Sequence, residues 1–143
     1  MPNASPPKVF LDTNIWFSAF WGSANCTKLL SAHKRGVIAV IISQQVIVEM
    51  VRNITEKIPA LLSSYEHFMT ENPPEVIADP RKIDSKTIKL VEKKDQPIFS
   101  SAVASKVDFF VTGNIKDFQV KKLEEETSIK IITPQQAIML LYL

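Results

Sequence analysis

Short apolar blocks separated by polar, helix-patterned stretches recur along the whole chain. The first, Val9-Phe10-Leu11, follows two prolines and stops at Asp12, which predicts a short buried strand with an acid at its carboxyl end. Helical spacing takes over through residues 15–20, breaks at Trp21-Gly22-Ser23 and resumes over about residues 25–35, with Leu29 and Leu30 inward and Gly36 as its stop. Residues 37–42 are nearly continuous in β-branched side chains, as a parallel strand covered on both faces requires, and Ser43 is placed to cap the next helix. That helix, about residues 44–57, carries Val46, Ile47, Met50, Val51 and Ile54 on a broad apolar face, with Glu49 among them. Pro59 precedes an amphipathic stretch to residue 69, and Asn72-Pro73-Pro74 interrupts the chain before a short strand at Val76-Ile77. Ile83, Thr87, Ile88 and Val91 keep helical spacing in a Lys-rich segment, and Asp95-Gln96-Pro97 starts a helix running to about residue 105. Residues 108–112 and 129–132 read as two further buried strands, and Pro134 opens a terminal helix.

Strands alternating with helices predict a three-layer α/β/α sandwich around a central, mostly parallel sheet, with any ligand site at the carboxyl ends of the strands. A length of 143 residues, 45% of them hydrophobic, suits one domain over residues 1–143, with the polar, Pro-rich residues 1–7 as a flexible lead-in. No apolar run approaches the roughly 20 residues of a membrane span, and the N-terminus has no signal-peptide pattern, so a cytoplasmic protein without a membrane partner is expected. Cys26 is the single cysteine, which excludes an internal disulfide and a thiolate zinc site. Seventeen Lys and Arg against fifteen Asp and Glu leave a net charge of +2, which neither diagnoses nor opposes a nucleic-acid partner. His33 and His67 have no partner at metal-ligand spacing and are expected to pack or face solvent, and Glu124-Glu125-Glu126 reads as a solvated helical run.

On this layout Asp12, Glu49, Asp95, Asn114 and Asp117 each fall at a strand exit, on the helix behind one, or at a helix start, where they can converge on one cleft. Singly, each has an ordinary role: Asp12 and Asp95 as helix caps, Asp117 in a turn, Glu49 turned to solvent. Together, carboxylates in one pocket raise one another's pKa unless a cation neutralises them. Hard oxygen ligands suit Mg²⁺ or Mn²⁺, ions that activate water for attack on a phosphodiester. Nuclease chemistry is the reading that uses all five residues.

The same residues lie in a recognisable series. Val9-Phe10-Leu11-Asp12-Thr13-Asn14, then Ser43 ahead of Glu49, then Asp95-Gln96-Pro97-Ile98 with Ala102, then residues 110–118 (Phe-Val-Thr-Gly-Asn-Ile-Lys-Asp-Phe) resemble the successive motifs of the PIN domain family over nearly the whole chain. The resemblance implies a metal-dependent ribonuclease, often the toxin of a VapC-type toxin–antitoxin pair, and with it an antitoxin partner and a homodimer. Asp12, Glu49 and Asp95 match the three acids that hold the family's metal ion. The fourth acidic position follows Thr-Gly, where this chain carries Asn114; Asn keeps an oxygen ligand but loses a charge, and Asp117 is placed to compensate. Asn114-Ile115-Lys116 also resembles a branch of toxin-like sequences with Asn at that position. Thr13, Asn14 and the Thr112 hydroxyl correspond to groups that orient the acids.

In the mechanism expected, Asp12, Glu49 and Asp95 hold the ion and a carboxylate accepts the proton of the attacking water. Lysines on the rim, Lys116 first and then Lys93, Lys94, Lys121 and Lys122, position the phosphates of single-stranded or looped RNA. Two other classes compete. A PIN-like module without turnover, which only binds RNA or a protein partner, would account for Asn114. A phosphoacceptor domain would also place an Asp at a strand exit, but Asp12-Thr13-Asn14 lacks the second Asp of a haloacid dehalogenase-type phosphatase, and Asp12 lacks the acidic pair of a receiver. Trp16, Phe17, Phe20 and Trp21 exceed what one helix face buries, so at least two are expected in the core and the rest at an interface.

Overall fold

The computed structural model describes residues 5–80 and 85–143. Five strands form one sheet: β1 (Lys8–Leu11), β2 (Ala39–Ser43), β3 (Glu75–Ile77), β4 (Phe109–Val111) and β5 (Lys130–Ile132). Their order is β3-β2-β1-β4-β5 and every pairing is parallel, with Phe10 opposite Ile41 on one side and Phe110 on the other. The central strand is apolar at every buried position because both its faces are covered: Val9, Phe10 and Leu11 are fully buried. The Phe10 and Phe110 rings stack at 5.7 Å between centroids, and Phe99 meets Phe110 edge-on at 5.1 Å.

Between β1 and β2 lie α1 (Thr13–Trp21) and α2 (Ala24–Lys34); α3 (Gln44–Lys57) and α4 (Leu62–Glu71) lead to β3, with a 3-10 turn at Pro59–Leu61. Then come α5 (Ser85–Ile88), a 3-10 turn at Lys93–Asp95, α6 (Gln96–Ala104), a 3-10 turn at Ile115–Asp117 after β4, α7 (Val120–Thr127) and α8 (Pro134–Leu140). The chain steps outward from β1 to β3, then crosses and steps the other way from β4 to β5; α1 packs on α2 and α3, α5 on α7, and the terminal α8 on α2. This is the three-layer α/β/α sandwich the alternation predicts, and its sheet is parallel throughout the described residues. The direction of winding reverses between β1 and β4, where an open α/β sheet leaves a crevice at its carboxyl edge.

Three local expectations shift. The second strand starts at Ala39 rather than residue 37, because Gly36 turns in the left-handed region (φ 74°) and the pairing begins where the Ala39 N–H donates to the Pro7 carbonyl. Of the lead-in, residues 1–4 lie outside the described residues. Of the helix expected across Ile83 to Val91, Ile83 lies outside the described residues, and the described part is a single turn at Ser85–Ile88. The Gln96 amide donates to the Ile88 and Val91 carbonyls at 2.9 and 3.0 Å, and Val91 leaves the helical path for an antiparallel bridge with Phe118. In the acidic run on α7, Glu125 and Glu126 are exposed, but Glu124 accepts from the Ile131 N–H at 3.0 Å on edge strand β5.

His33 packs as expected: its Nδ1 accepts from the Val40 N–H, which leaves Nε2 to donate to the Asn72 carbonyl. Cys26 is buried and free. Among the described residues no helix is long and apolar enough to cross a membrane.

Candidate metal and phosphate cleft

The crevice at the β1/β4 reversal is a hollow of about 330 Å³ lined by Asp12, Thr13, Asn14, Glu49, Asp95 and Asn114, together with Phe17, Ser18, Asn53, Lys57, Lys94 and Ile98. The sequence brings these side chains together through three junctions. Asp12 leaves β1 in an extended conformation and caps α1, with Oδ1 accepting from the Thr13 N–H at 2.8 Å. Its other oxygen, Oδ2, accepts from the Thr112 hydroxyl at 2.9 Å across the neighbouring β4 exit. The same hydroxyl accepts from the Asn114 N–H at 3.0 Å, so one Thr side chain joins the acid of β1 to the loop after β4. Asp12 is therefore both a cap and a cleft residue, 4% exposed.

Ser43 closes β2 and caps α3 by accepting from the Val46 N–H, which sets the phase of the helix. Glu49 then faces the hollow, and Asn53 and Lys57 follow it at successive four-residue steps on the same helix face. Asp95 stands before α6 yet makes no capping bond: it sits in helical conformation at the end of a 3-10 turn, and Pro97 offers no N–H. Its position comes instead from the clamp in which Glu92 N–H donates to Asp117 O, Gln119 N–H donates to Leu90 O, and Val91 bridges Phe118. The clamp carries Asp95 and Asp117 to each other.

Electrostatically the acids are under strain. Burial raises the Asp12 carboxyl above its ordinary pKa, against the hydrogen bonds from Thr112 and Thr13. Burial also raises Glu49, with the Asp12 charge adding to it. Asp95 is pushed up to about 7, first by burial, then by the adjoining Asp117 carboxyl, which bonds only its protonated form, and then by the charge of Asp12. Asp117 pairs with Lys94 at 3.4 Å. Glu49 Oε2 and Asp95 Oδ2 are buried without any hydrogen-bond partner.

Buried carboxylate oxygens with no donor call for a proton, a water or a cation, and a set of hard oxygens fits Mg²⁺ or Mn²⁺. Asp12, Glu49 and Asp95, with the Asn114 side chain on the rim, could hold it. Among the described residues no three acids or histidines are already gathered at ligand distance, so the carboxylates would have to draw in around an ion.

The remaining expected residues are distributed as follows. Thr112 bonds Asp12 directly, whereas Thr13 meets it through its backbone, and the Thr13 hydroxyl is buried without a partner. Asn14 accepts from the Gly113 N–H at 3.3 Å and so holds the β4 loop rather than an acid. Asp117 lies behind Asp95, outside the lining. Lys94 lines the cleft, but Lys93 and Lys116 border a separate hollow of about 210 Å³ beside Asp117 and Glu92. Lys57 and Asn53 were not singled out from the sequence, although their spacing from Glu49 carries the signal.

A parallel sandwich with underbonded acids at its winding reversal defines an acidic-cleft α/β domain. The chain belongs to the PIN domain family, whose model matches residues 8–116 and whose members are generally nucleases. Among solved structures, VapBC2 from Rickettsia felis, bound to a DNA fragment from its promoter, is similar in fold: the TM-score is 0.62 at 20% identity, covering 88% of this chain and 98% of that one. No curated protein matches the chain.

Proposed function

We propose that this protein is an Mg²⁺- or Mn²⁺-dependent endoribonuclease, acting as the toxin of a toxin–antitoxin pair. The observation that carries the reading is the pair of buried, unpartnered carboxylate oxygens, Glu49 Oε2 and Asp95 Oδ2, on one hollow with Asp12 at the winding reversal. Bound there, the ion would supply charge opposite the scissile phosphate and make water a stronger nucleophile. The protein's part is positional. Thr112 fixes Asp12, and Ser43 fixes the turn of α3 that presents Glu49. The proton released by the attacking water would pass to whichever carboxylate oxygen of Asp12, Glu49 or Asp95 is not engaged with the ion. Lys57 and Lys94 line the cleft where they would meet backbone phosphates.

The toxin role, an antitoxin partner and a homodimer rest on the family and on the fold likeness to the VapBC2 complex. The reading is tested by incubating a mixed single-stranded and transfer RNA pool with the purified protein in Mn²⁺, Mg²⁺ or chelator, beside an Asp12→Asn control. Cleavage that both chelator and substitution abolish supports it. Asn114, a neutral side chain on the cleft wall, favours a second reading, a module that binds RNA without cutting it. In that case Asp12→Ala would leave RNA affinity unchanged and Mn²⁺ would have no effect.

A further inference from the structure

The four aromatics of α1 divide between two environments. Trp16 is fully buried, and Phe20 stacks on it and meets Tyr65 and Phe68 edge-on. Phe17 and Trp21, one turn apart, lean on each other on another side of the helix at 5.8 Å between centroids. Trp21 is 62% exposed. The helix ends directly after it at Gly22, whose φ of 111° turns the chain away, and beyond its chain neighbours nothing lies within 4 Å of where a Cβ would stand. Together with Ser23 these residues wall a hollow of about 640 Å³, which shares Phe17, Ser18 and Lys57 with the acidic cleft. Lys57 stands at the junction, its Nζ 5.5 Å above the Phe17 ring, and pairs with no carboxylate among the described residues.

We propose that the Phe17–Trp21 ledge stacks an unpaired base of the RNA next to the scissile phosphate, with Lys57 holding the phosphate between ledge and acids. This inference rests on the nuclease reading and deepens it. A π-face beside a cation, opening from a phosphate-cutting cleft, is the chemistry by which proteins grip single strands. A duplex keeps its bases stacked on each other and has none to offer the ledge, so the substrate is unpaired RNA, held with little regard to base identity. An apolar protein partner would use the rings but gain nothing from the ammonium between them and the acids.

The test is a cycle between ring and base. Asp12→Asn protein, which does not cut, is titrated in Mg²⁺ with a labelled single-stranded oligoribonucleotide and with copies carrying one abasic site at successive positions. Trp21→Ala should weaken binding about tenfold, the scale of one base stacked on an aromatic ring, and Trp21→Phe much less. One abasic position should cost a similar factor when Trp21 is present and nothing when it is Ala. RNA should also quench the emission of Trp21 while buried Trp16 continues to emit. An abasic penalty equal in both proteins overturns the proposal, as does Trp21→Ala leaving RNA affinity unchanged while dissolving a dimer in sedimentation. Wild-type protein assayed in parallel separates the two claims: metal-dependent cleavage with a flat cycle removes the ledge alone, and a positive cycle without cleavage removes the nuclease alone.

Discussion

The two sides of the cleft are built differently. On the β1/β4 side, Asp12 receives a hydrogen bond on each oxygen, and the Thr112 hydroxyl that supplies one of them also fastens the following loop. On the opposite side, Asp95 and Asp117 are brought together by a backbone clamp, and their nearest relief is the exposed ammonium of Lys94. One side is preorganised without an ion, whereas the other is set against itself until positive charge arrives. A site of this kind keeps its shape at the strand ends and reserves its adjustment for the loops.

The largest effect should come from the preorganised side. Asp12→Asn keeps the shape and the Thr13 cap but removes the charge, and should lower kcat/KM for RNA by more than about 100-fold, beyond the usual cost of losing an outer partner of a metal ligand. Thr112→Val tests the support rather than the ligand. The Thr112 N–H still donates to Ile132 O, so the sheet should persist while activity and metal affinity fall about 10–100-fold. An equal loss from both substitutions, with both proteins folded by circular dichroism, would mean that the hydroxyl is as central as the acid.

The crowded side should announce itself in stability. A carboxyl whose folded pKa is raised binds its proton more tightly in the folded state, so its contribution is fully present below its ordinary value and is lost as pH rises through the folded value. For Asp95 that window runs from 3.8 to about 7, and the upward shifts of Asp12 and Glu49 have the same sign. In chelator the melting temperature should fall across that range, and added Mg²⁺ should restore it at the upper end, where the acids are charged. A melting temperature indifferent to Mg²⁺ there would argue that no ion binds between the acids.

The contrast between the two sides also explains what the sequence reveals. Strands and acids at strand exits are local patterns: an apolar triplet ending in Asp, or Ser43 capping the helix that carries Glu49, needs no knowledge of distant chain. Asp12's second oxygen depends on Thr112, a hundred positions away, yet both lie in recognisable motifs. The Asp95 side rests instead on backbone bonds between 90–92 and 117–119, which side-chain periodicity does not encode. The same clamp cuts short the helix expected through Val91. It also accounts for the placing of Lys116, since the 3-10 turn that carries it borders the other hollow. Lys57 was legible in principle as the third member of the Glu49, Asn53, Lys57 face, but only once Glu49 is known to point into a cleft.

The smallest effect, and the sharpest test of which lysines form the rim, belongs to Lys94. Its pair with Asp117 is exposed, so Lys94→Met should change stability by less than about 1 kcal/mol. On binding RNA, however, the ammonium would exchange a carboxylate for a phosphate. Removing one phosphate contact should lessen the slope of log affinity against log salt by about 0.7 for a single strand. Lys116→Met, on the neighbouring hollow, should leave that slope unchanged. Slopes measured by titration at several salt concentrations decide between them. If Lys116 rather than Lys94 carries the change, the RNA runs over the Asp117 side, and the crowded pair is part of its path rather than the far wall of the cleft.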